Sequence, residues 1–446
     1  MPKNRKKDGV GVGLIGLGTI GTGVARVLRQ NGDLIAERMG APLRLIRIAD
    51  IDTETDRGVN LDGIVFDADA QGLVEDPQVD IVVELIGGYD VARRFTLEAI
   101  RAGKHVVTAN KALLALHGRE IFGAAAAAGV DVAFEASVGG GIPILRSLRE
   151  GLCANRIHSV QGILNGTTNY VLTEMEKTGE SFEIALKRAQ DLGYAEADPT
   201  FDVDGIDAAH KLCLLAAMAF GVDLDFNDIP TEGIRHLVPL DFEIAAEFDY
   251  RIKMLGIAKE EPSHPGRIEA RVHPTLIPRS SMLAAVDGAL TAFLVDGDAV
   301  GSTLYYGAGA GEMPTASAVV ADLMELGREV CRESAGRVAP LSYPQQNLSS
   351  PRVLPLGELQ GRLYLRFEVV DLPGVLSHVT GGLADHGIGI ESVIQRGPSA
   401  TGEPVTVVVW THPSPEAAVR EALKRIDTGP EVLSPTRVLR IEEEVG

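Results

Sequence analysis

The sequence predicts an α/β chain: a doubly wound parallel sheet first, then an α+β region, then a smaller α+β module. Three observations carry this. Short apolar runs alternate with helical periodicity from Val10 to Phe134. A glycine-rich turn, Gly16 to Gly21, stands between the first run and the first helical segment. The pattern changes after Gly139-Gly140-Gly141 and again across a Pro-, Ser- and Gln-rich stretch from Pro340 to Pro355. Alternating strand and helix signals argue for parallel strands with helical crossovers.

Val10 to Ile15 reads as the first strand, and Val24, Val27 and Leu28 recur at helical spacing behind the turn. Leu43 to Ala49 and Ile81 to Ile86 read as the next strands, His105 to Thr108 closes a fourth, and Val130 to Phe134 supplies another. Arg93 to Ala102 is one of the intervening helices. Beyond the triple glycine, Asn155 to Leu164 is strand-like, and Thr168 to Thr178, Phe182 to Leu192 and Ile206 to Phe220 are helix-like. Residues 230–310 read as short strands with loops. Pro314 to Glu329 reads as a helix with proline at its start, where no amide hydrogen is needed. Past the linker, Leu363 to Val369, a helix from Val375 to His386, and Val405 to Trp410 form the last module. The expected division is 1–137, 138–339 (with the helix near 314–329 packing back on the first domain), a linker over 340–356, and 357–446.

With 446 residues the chain is long enough for two to four domains. Lys plus Arg number 42 against 62 Asp plus Glu, a net charge of −20, so nothing favours tracking a phosphate backbone and no nucleic-acid partner is expected. Cys153, Cys213 and Cys331 are far apart with no CxxC pair, which argues against zinc and against a disulfide framework. No apolar run of about 18 residues suggests a membrane span. The basic start, Met1 to Asp8, leads into no secretory core and reads as a solvated end. A cytoplasmic chain is the expectation.

Gly16-Leu17-Gly18-Thr19-Ile20-Gly21 fits a dinucleotide-binding, Rossmann-type turn because it lies between a strand and a helix. Gly16 allows the tight turn, Gly18 lets backbone approach a diphosphate, and Gly21 allows close strand–helix packing; the helix N-terminus then faces the phosphates. The second strand ends at Asp50, with Asp52 beyond. A carboxylate there accepts from ribose hydroxyls and repels a 2′-phosphate, and alternation puts Arg47 on the opposite face, so NAD is favoured over NADP.

Ala189 to Lys211 (AQDLGYAEADPTFDVDGIDAAHK) carries Asp191, Glu196, Asp198, Asp202, Asp204 and Asp207, with no Lys or Arg before Lys211. Pro199 and Gly205 make its first part a loop, and Asp204 suits an N-cap. Asp207 and Lys211 fall at i and i+4 on one helix face. Exposed, such a pair is worth tenths of a kcal/mol; beside a closed pocket it orients an ammonium for proton donation. Spacing alone leaves both open. His210 reads as a packed or surface histidine.

This stretch resembles the signature of the homoserine dehydrogenase family through Ala189, Gly193-Tyr194, Asp198-Pro199, Asp202, Gly205, Asp207 and Lys211. Glu84 to Gly88, Thr108 to Lys111, Glu135 to Pro143, Asn165-Gly166-Thr167 and Pro314 to Ala318 add to it, so the resemblance spans about residues 10–330. The tail, with Asp371-Leu372-Pro373-Gly374-Val375-Leu376, resembles an ACT domain. The resemblance implies reversible reduction of L-aspartate 4-semialdehyde to L-homoserine with NAD(P)H. It implies Lys211 as proton donor, Lys111 near nicotinamide and substrate, and Asp207, Glu196, Asp202 and Thr167 at the amino acid. Gly193 and Gly311 would approach the cofactor. A monovalent cation, sodium or potassium, is implied at Glu135, Val138, Gly140 and Ile142, through backbone carbonyls at the last three. A homodimer or higher oligomer, and threonine as an effector at the tail, are also implied. Another amino-acid dehydrogenase on this fold, or a silent amino-acid sensor, would differ in an assay with homoserine.

Overall fold

A computed structural model of the chain describes residues 9–261, 266–350, 352–397 and 404–443. The basic start read as a solvated end lies outside them. The chain forms two compact units, each assembled from three segments: 1–166, 207–229 and 289–351 in one, and 167–206, 230–288 and 352–446 in the other.

The first unit contains a six-stranded parallel sheet. Its central strand Val10–Ile15 is buried along its whole length, between Leu43–Ala49 and Ile81–Glu84. A strand covered on both faces reads as a continuous apolar run, which is why it was legible. Val65–Asp67 extends one edge, and His105–Thr108 and Val132–Ala133 the other. The Thr19–Gln30 helix buries Val24, Val27 and Leu28 in a core shared with Ala316, Val319 and Leu323 of the Glu312–Arg332 helix. Gly23 permits this approach, since a Cβ there would stand 3.0 Å from that of Ala316. The Glu312–Arg332 helix starts two residues earlier than expected. Pro314 is therefore its third residue, still within the first turn, whose amides need no intrahelical partner. An antiparallel trio, Ile157–Ile163, Leu290–Gly297 and Gly301–Ala308, completes the unit.

The stretch from Pro340, read as a linker with little periodicity, carries local structure in this unit. Gln345–Asn347 is a 3₁₀ turn, Val222 bridges Ser349, and a Cβ on Gly221 would stand 2.9 Å from the Tyr343 ring.

In the second unit, Tyr250–Glu260 and Arg267–Pro278 are antiparallel strands of 11 and 12 residues, not the short strands expected. Their middles are buried throughout, so they show no period-two alternation to mark their length. Arg437–Ile441, Gln360–Val370, Pro404–Thr411 and Ile390–Arg396 continue the sheet. The Val375–Ala384 and Glu416–Ile426 helices pack Val379, Leu383 and Ile426 against Leu365, Phe367 and Val407. Ile390–Arg396 eluded sequence reading because its exposed positions alternate on an edge. No helix among the described residues is long and apolar enough to cross a membrane.

Candidate active site

Lys111 opens the Lys111–Ala128 helix, directly after the His105–Thr108 strand. Asn110 caps it, accepting from the Leu113 amide at 3.0 Å. Asp207 and Lys211 lie one turn apart on the Ile206–Phe220 helix, where every residue from Asp207 to Ala219 is buried. Burial decides between the two readings of this pair. Lys211 Nζ donates to Asp207 Oδ2 at 2.7 Å and to the Leu164 carbonyl at 2.8 Å. Lys111 Nζ meets Asp207 Oδ1 at 3.0 Å, and Asn165 Nδ2 donates to Oδ2 at 2.8 Å. One carboxylate thus lies between two ammonium groups. Burial acts to raise its pKa, but the fields of Lys211 and Lys111 and the bonds from Lys211 and Asn165 prevail and hold it well below the ordinary carboxylate range. Lys111 is the more open lysine, its side chain 31% exposed against 11%.

The cluster carries a surplus positive charge in a poorly solvated place, suited to stabilising a developing oxyanion. Asn165, quoted before only as part of a motif, emerges as a partner of the anion; no spacing rule links it to Asp207. His210 packs against Phe226 in a tilted ring pair, 4.3 Å between centroids. Burial, with Lys111 nearby, brings its pKa down to about 4, so it is a neutral packing residue at pH 7.

Glu196, Asp202, Thr167 and Gly193 belong to the second unit. Thr167 Oγ1 donates to the Tyr194 carbonyl at 2.6 Å, Gly193 takes φ +76°, Glu196 is exposed, and Asp202 is half-buried in the Thr200–Val203 turn. Asp204, the expected N-cap, accepts from Arg235 Nε at 2.6 Å.

The glycine-rich turn has the shape a diphosphate needs. Gly16 has φ +98°, and a Cβ there would lie 2.8 Å from the Leu85 backbone. A Cβ on Gly21 would strike the Gly16 carbonyl at 2.1 Å, whereas Gly18 faces open space. Thr19 and Ile20 begin the helix. Asp50 accepts from the Leu17 amide at 2.5 Å and the Asp52 amide at 2.9 Å, which fixes its carboxylate beside the turn. Arg47 is engaged by Asp67 and Asp69 at 2.7 and 3.1 Å. Gly311, at φ +117°, precedes the Glu312–Arg332 helix.

Glu135 sits in a buried 3₁₀ turn. Its carboxylate accepts from the Leu145 and Arg146 amides at 3.0 and 2.7 Å, and its own amide donates to Asp322 at 2.8 Å. Burial, and then Asp322, push its pKa up to about 7. Val138, Gly140 and Ile142 are buried behind it. Each carboxylate oxygen accepts one amide and keeps a lone pair, so a cation here would be met by this carboxylate and by backbone carbonyl oxygens, donors a hard ion prefers. A separate cavity of about 1000 Å³ opens between the Lys111–Ala128 and Ile206–Phe220 helices and the stretch around Tyr343. Cys213 lines it, but burial pushes its thiol up to about 12, so it is inert.

Comparison with known proteins gives the family. Residues 16–135 match the homoserine dehydrogenase NAD binding domain, residues 143–324 match homoserine dehydrogenase, and residues 363–428 match the ACT domain. The homoserine dehydrogenase of Pseudomonas aeruginosa is 46% identical over 97% of this chain and 99% of its own length. That of Bacillus subtilis is 38% identical over 93% and 94%. The crystal structure of a homoserine dehydrogenase from Thiobacillus denitrificans superposes with a TM-score of 0.90, at 47% identity, covering 98% of this chain and 99% of that one. A hyperthermophilic archaeal homoserine dehydrogenase in complex with NADPH gives a TM-score of 0.59 at 25% identity over 75% and 98%. The chain belongs to the homoserine dehydrogenase family and carries a nicotinamide-cofactor-binding domain and an ACT domain.

Proposed function

We propose that this chain interconverts L-aspartate 4-semialdehyde and L-homoserine with a nicotinamide cofactor, and that the buried Lys111–Asp207–Lys211 group is its catalytic centre. That group is the observation that carries the reading. Gly16, Leu17, Gly18, Thr19, Ile20 and Gly21 would hold the diphosphate, Asp50 the adenosine ribose, and Lys111, Gly193 and Gly311 the remaining parts. When bound, the nicotinamide supplies the hydride that reaches the aldehyde carbon.

Lys211 faces the aldehyde oxygen, stabilises its growing negative charge and delivers a proton to it, completing the hydroxyl of homoserine. An ammonium gives a proton readily to the far more basic alkoxide. Asp207 and the Leu164 carbonyl hold Lys211 in one orientation. In the oxidative direction neutral Lys211 takes the hydroxyl proton. Glu196 and Asp202, acidic, suit the substrate ammonium, and Thr167 offers a hydroxyl.

The fixed Asp50 carboxylate favours NAD over NADP. Glu135, Val138, Gly140 and Ile142 are assigned to sodium or potassium, the ACT domain to threonine, and the assembly to a homodimer or higher oligomer. The functional division remains 1–137, 138–339, 340–356 and 357–446. Steady-state oxidation of homoserine with each oxidised cofactor tests the core of this proposal: no reduction of either cofactor would overturn it, and a higher kcat/KM with NADP would overturn the cofactor preference. Replacing sodium and potassium by choline tests the cation, with unchanged turnover counting against it.

A further inference from the structure

Three residues far apart in sequence meet on the first unit, away from the lysine cluster. His105 is the first residue of the His105–Thr108 strand, at the end opposite Lys111. Asp131 immediately precedes the edge strand Val132–Ala133. Glu329 lies in the last turn of the Glu312–Arg332 helix. One potential ligand atom from each lies within 4.8 Å of the others.

We propose that His105, Asp131 and Glu329 form a site for a divalent transition-metal cation, of the zinc or manganese class, that ties the end of the Glu312–Arg332 helix to the edge of the parallel sheet.

The strongest argument is Glu329. It is 7% exposed, and its Oε2 atom is buried with no hydrogen-bond donor among the described residues, while its carboxylate meets that of Asp131, another acceptor. A buried carboxylate oxygen left without a partner is costly, and a second carboxylate beside it makes matters worse. Asp131 Oδ2 is steadied by the Gly336 amide at 2.8 Å, as ligating carboxylates usually are.

His105 supplies the nitrogen donor. Its Nδ1 lies 4.0 Å from Asp131 Oδ2 and accepts from the Asp131 amide at 3.1 Å, a bond that coordination through this nitrogen would replace. Bonds of about 2.0–2.2 Å to one metal require these atoms to draw together from their present spacing. One imidazole and two carboxylates leave room for water and select zinc or manganese over magnesium, which avoids imidazole. The site is structural, because it lies at the opposite end of the strand from Lys111.

The test is calorimetric titration of the chelator-stripped full chain with Zn²⁺, Mn²⁺ and Mg²⁺, alongside Glu329→Gln and His105→Gln, with circular dichroism to confirm folding. The expected result is one equivalent of zinc bound by the unsubstituted chain, with a rise in Tm of several degrees. Each substitution should weaken zinc binding at least tenfold and abolish that rise, and magnesium should produce neither effect. Equal zinc binding by the chain and both variants would overturn the proposal. So would no zinc binding at all.

Discussion

Two buried aspartates in the first unit have opposite fates. Asp207 and Asp322 are 5% and 1% exposed, so both lose nearly all their hydration. Asp207 has two ammonium groups and an amide at 2.7–3.0 Å, and stays an anion. Asp322 accepts from the Glu135 amide at 2.8 Å and meets Arg146 at 3.2 Å, yet burial overcomes these and pushes its pKa up to about 7. Glu135, whose pKa Asp322 helps to raise, is pushed to about 7 as well. The two sites show that burial sets the energy scale while the count and sign of close charges set the direction. Asp207 is a permanent counter-ion; Asp322 and Glu135 titrate near neutrality.

The largest effect should come from Lys211→Ala, a loss of about 10³-fold in kcat if it transfers the proton. Lys111→Ala should lose less, about 10–100-fold. Equal losses would make the lysines partners in one proton transfer, and turnover near that of the unsubstituted chain would refute the role of Lys211. Next comes Asp207→Asn, expected to reduce kcat about 100-fold. It leaves two ammonium groups facing each other without their anion, so the rising limb of homoserine oxidation, set by loss of a proton from the base, should move to lower pH. A limb that moves up would mean Asp207 is not their counter-ion.

Asp50→Asn should lower the NAD-to-NADP ratio of kcat/KM about tenfold, since the charge that repels a 2′-phosphate is gone. An unchanged ratio would place that selectivity elsewhere. The pH dependence of stability tests the other side of the comparison. Asp322 and Glu135 have folded pKa values above their unfolded ones, so the folded state binds more protons between about pH 4 and 7. Their contribution is therefore complete at the acid end and is lost as pH rises through about 7. Tm should fall by a few degrees over that range, and Asp322→Asn should flatten the decline. A Tm that climbs with pH there would contradict the assignment.

The smallest expected effect is a threonine-induced rise in Tm of about 1–2 °C. Removing the chain beyond Leu356 would also remove Arg437–Ile441, which pairs with Arg267–Pro278 within one sheet, so a point substitution is the cleaner probe. Asp371→Ala, at the turn before the Val375–Ala384 helix, should remove the shift and leave the fold intact. A shift that persists would move the effector away from that turn.

Local patterns carried much of this protein. The strand, glycine turn and helix from Val10 to Gln30 are contiguous, and the i, i+4 relation of Asp207 and Lys211 follows from helix geometry alone, because one residue's position dictates its neighbour's. The family signature lies in the same stretch. What no local pattern held was the depth of that pair, the arrival of Lys111 and Asn165 at the same carboxylate, and the meeting of His105, Asp131 and Glu329. Those partners lie tens to hundreds of residues apart, and only packing brings them together. Packing also withdraws water from them, and that withdrawal turns a pair worth tenths of a kcal/mol on a surface into a charged site able to do chemistry.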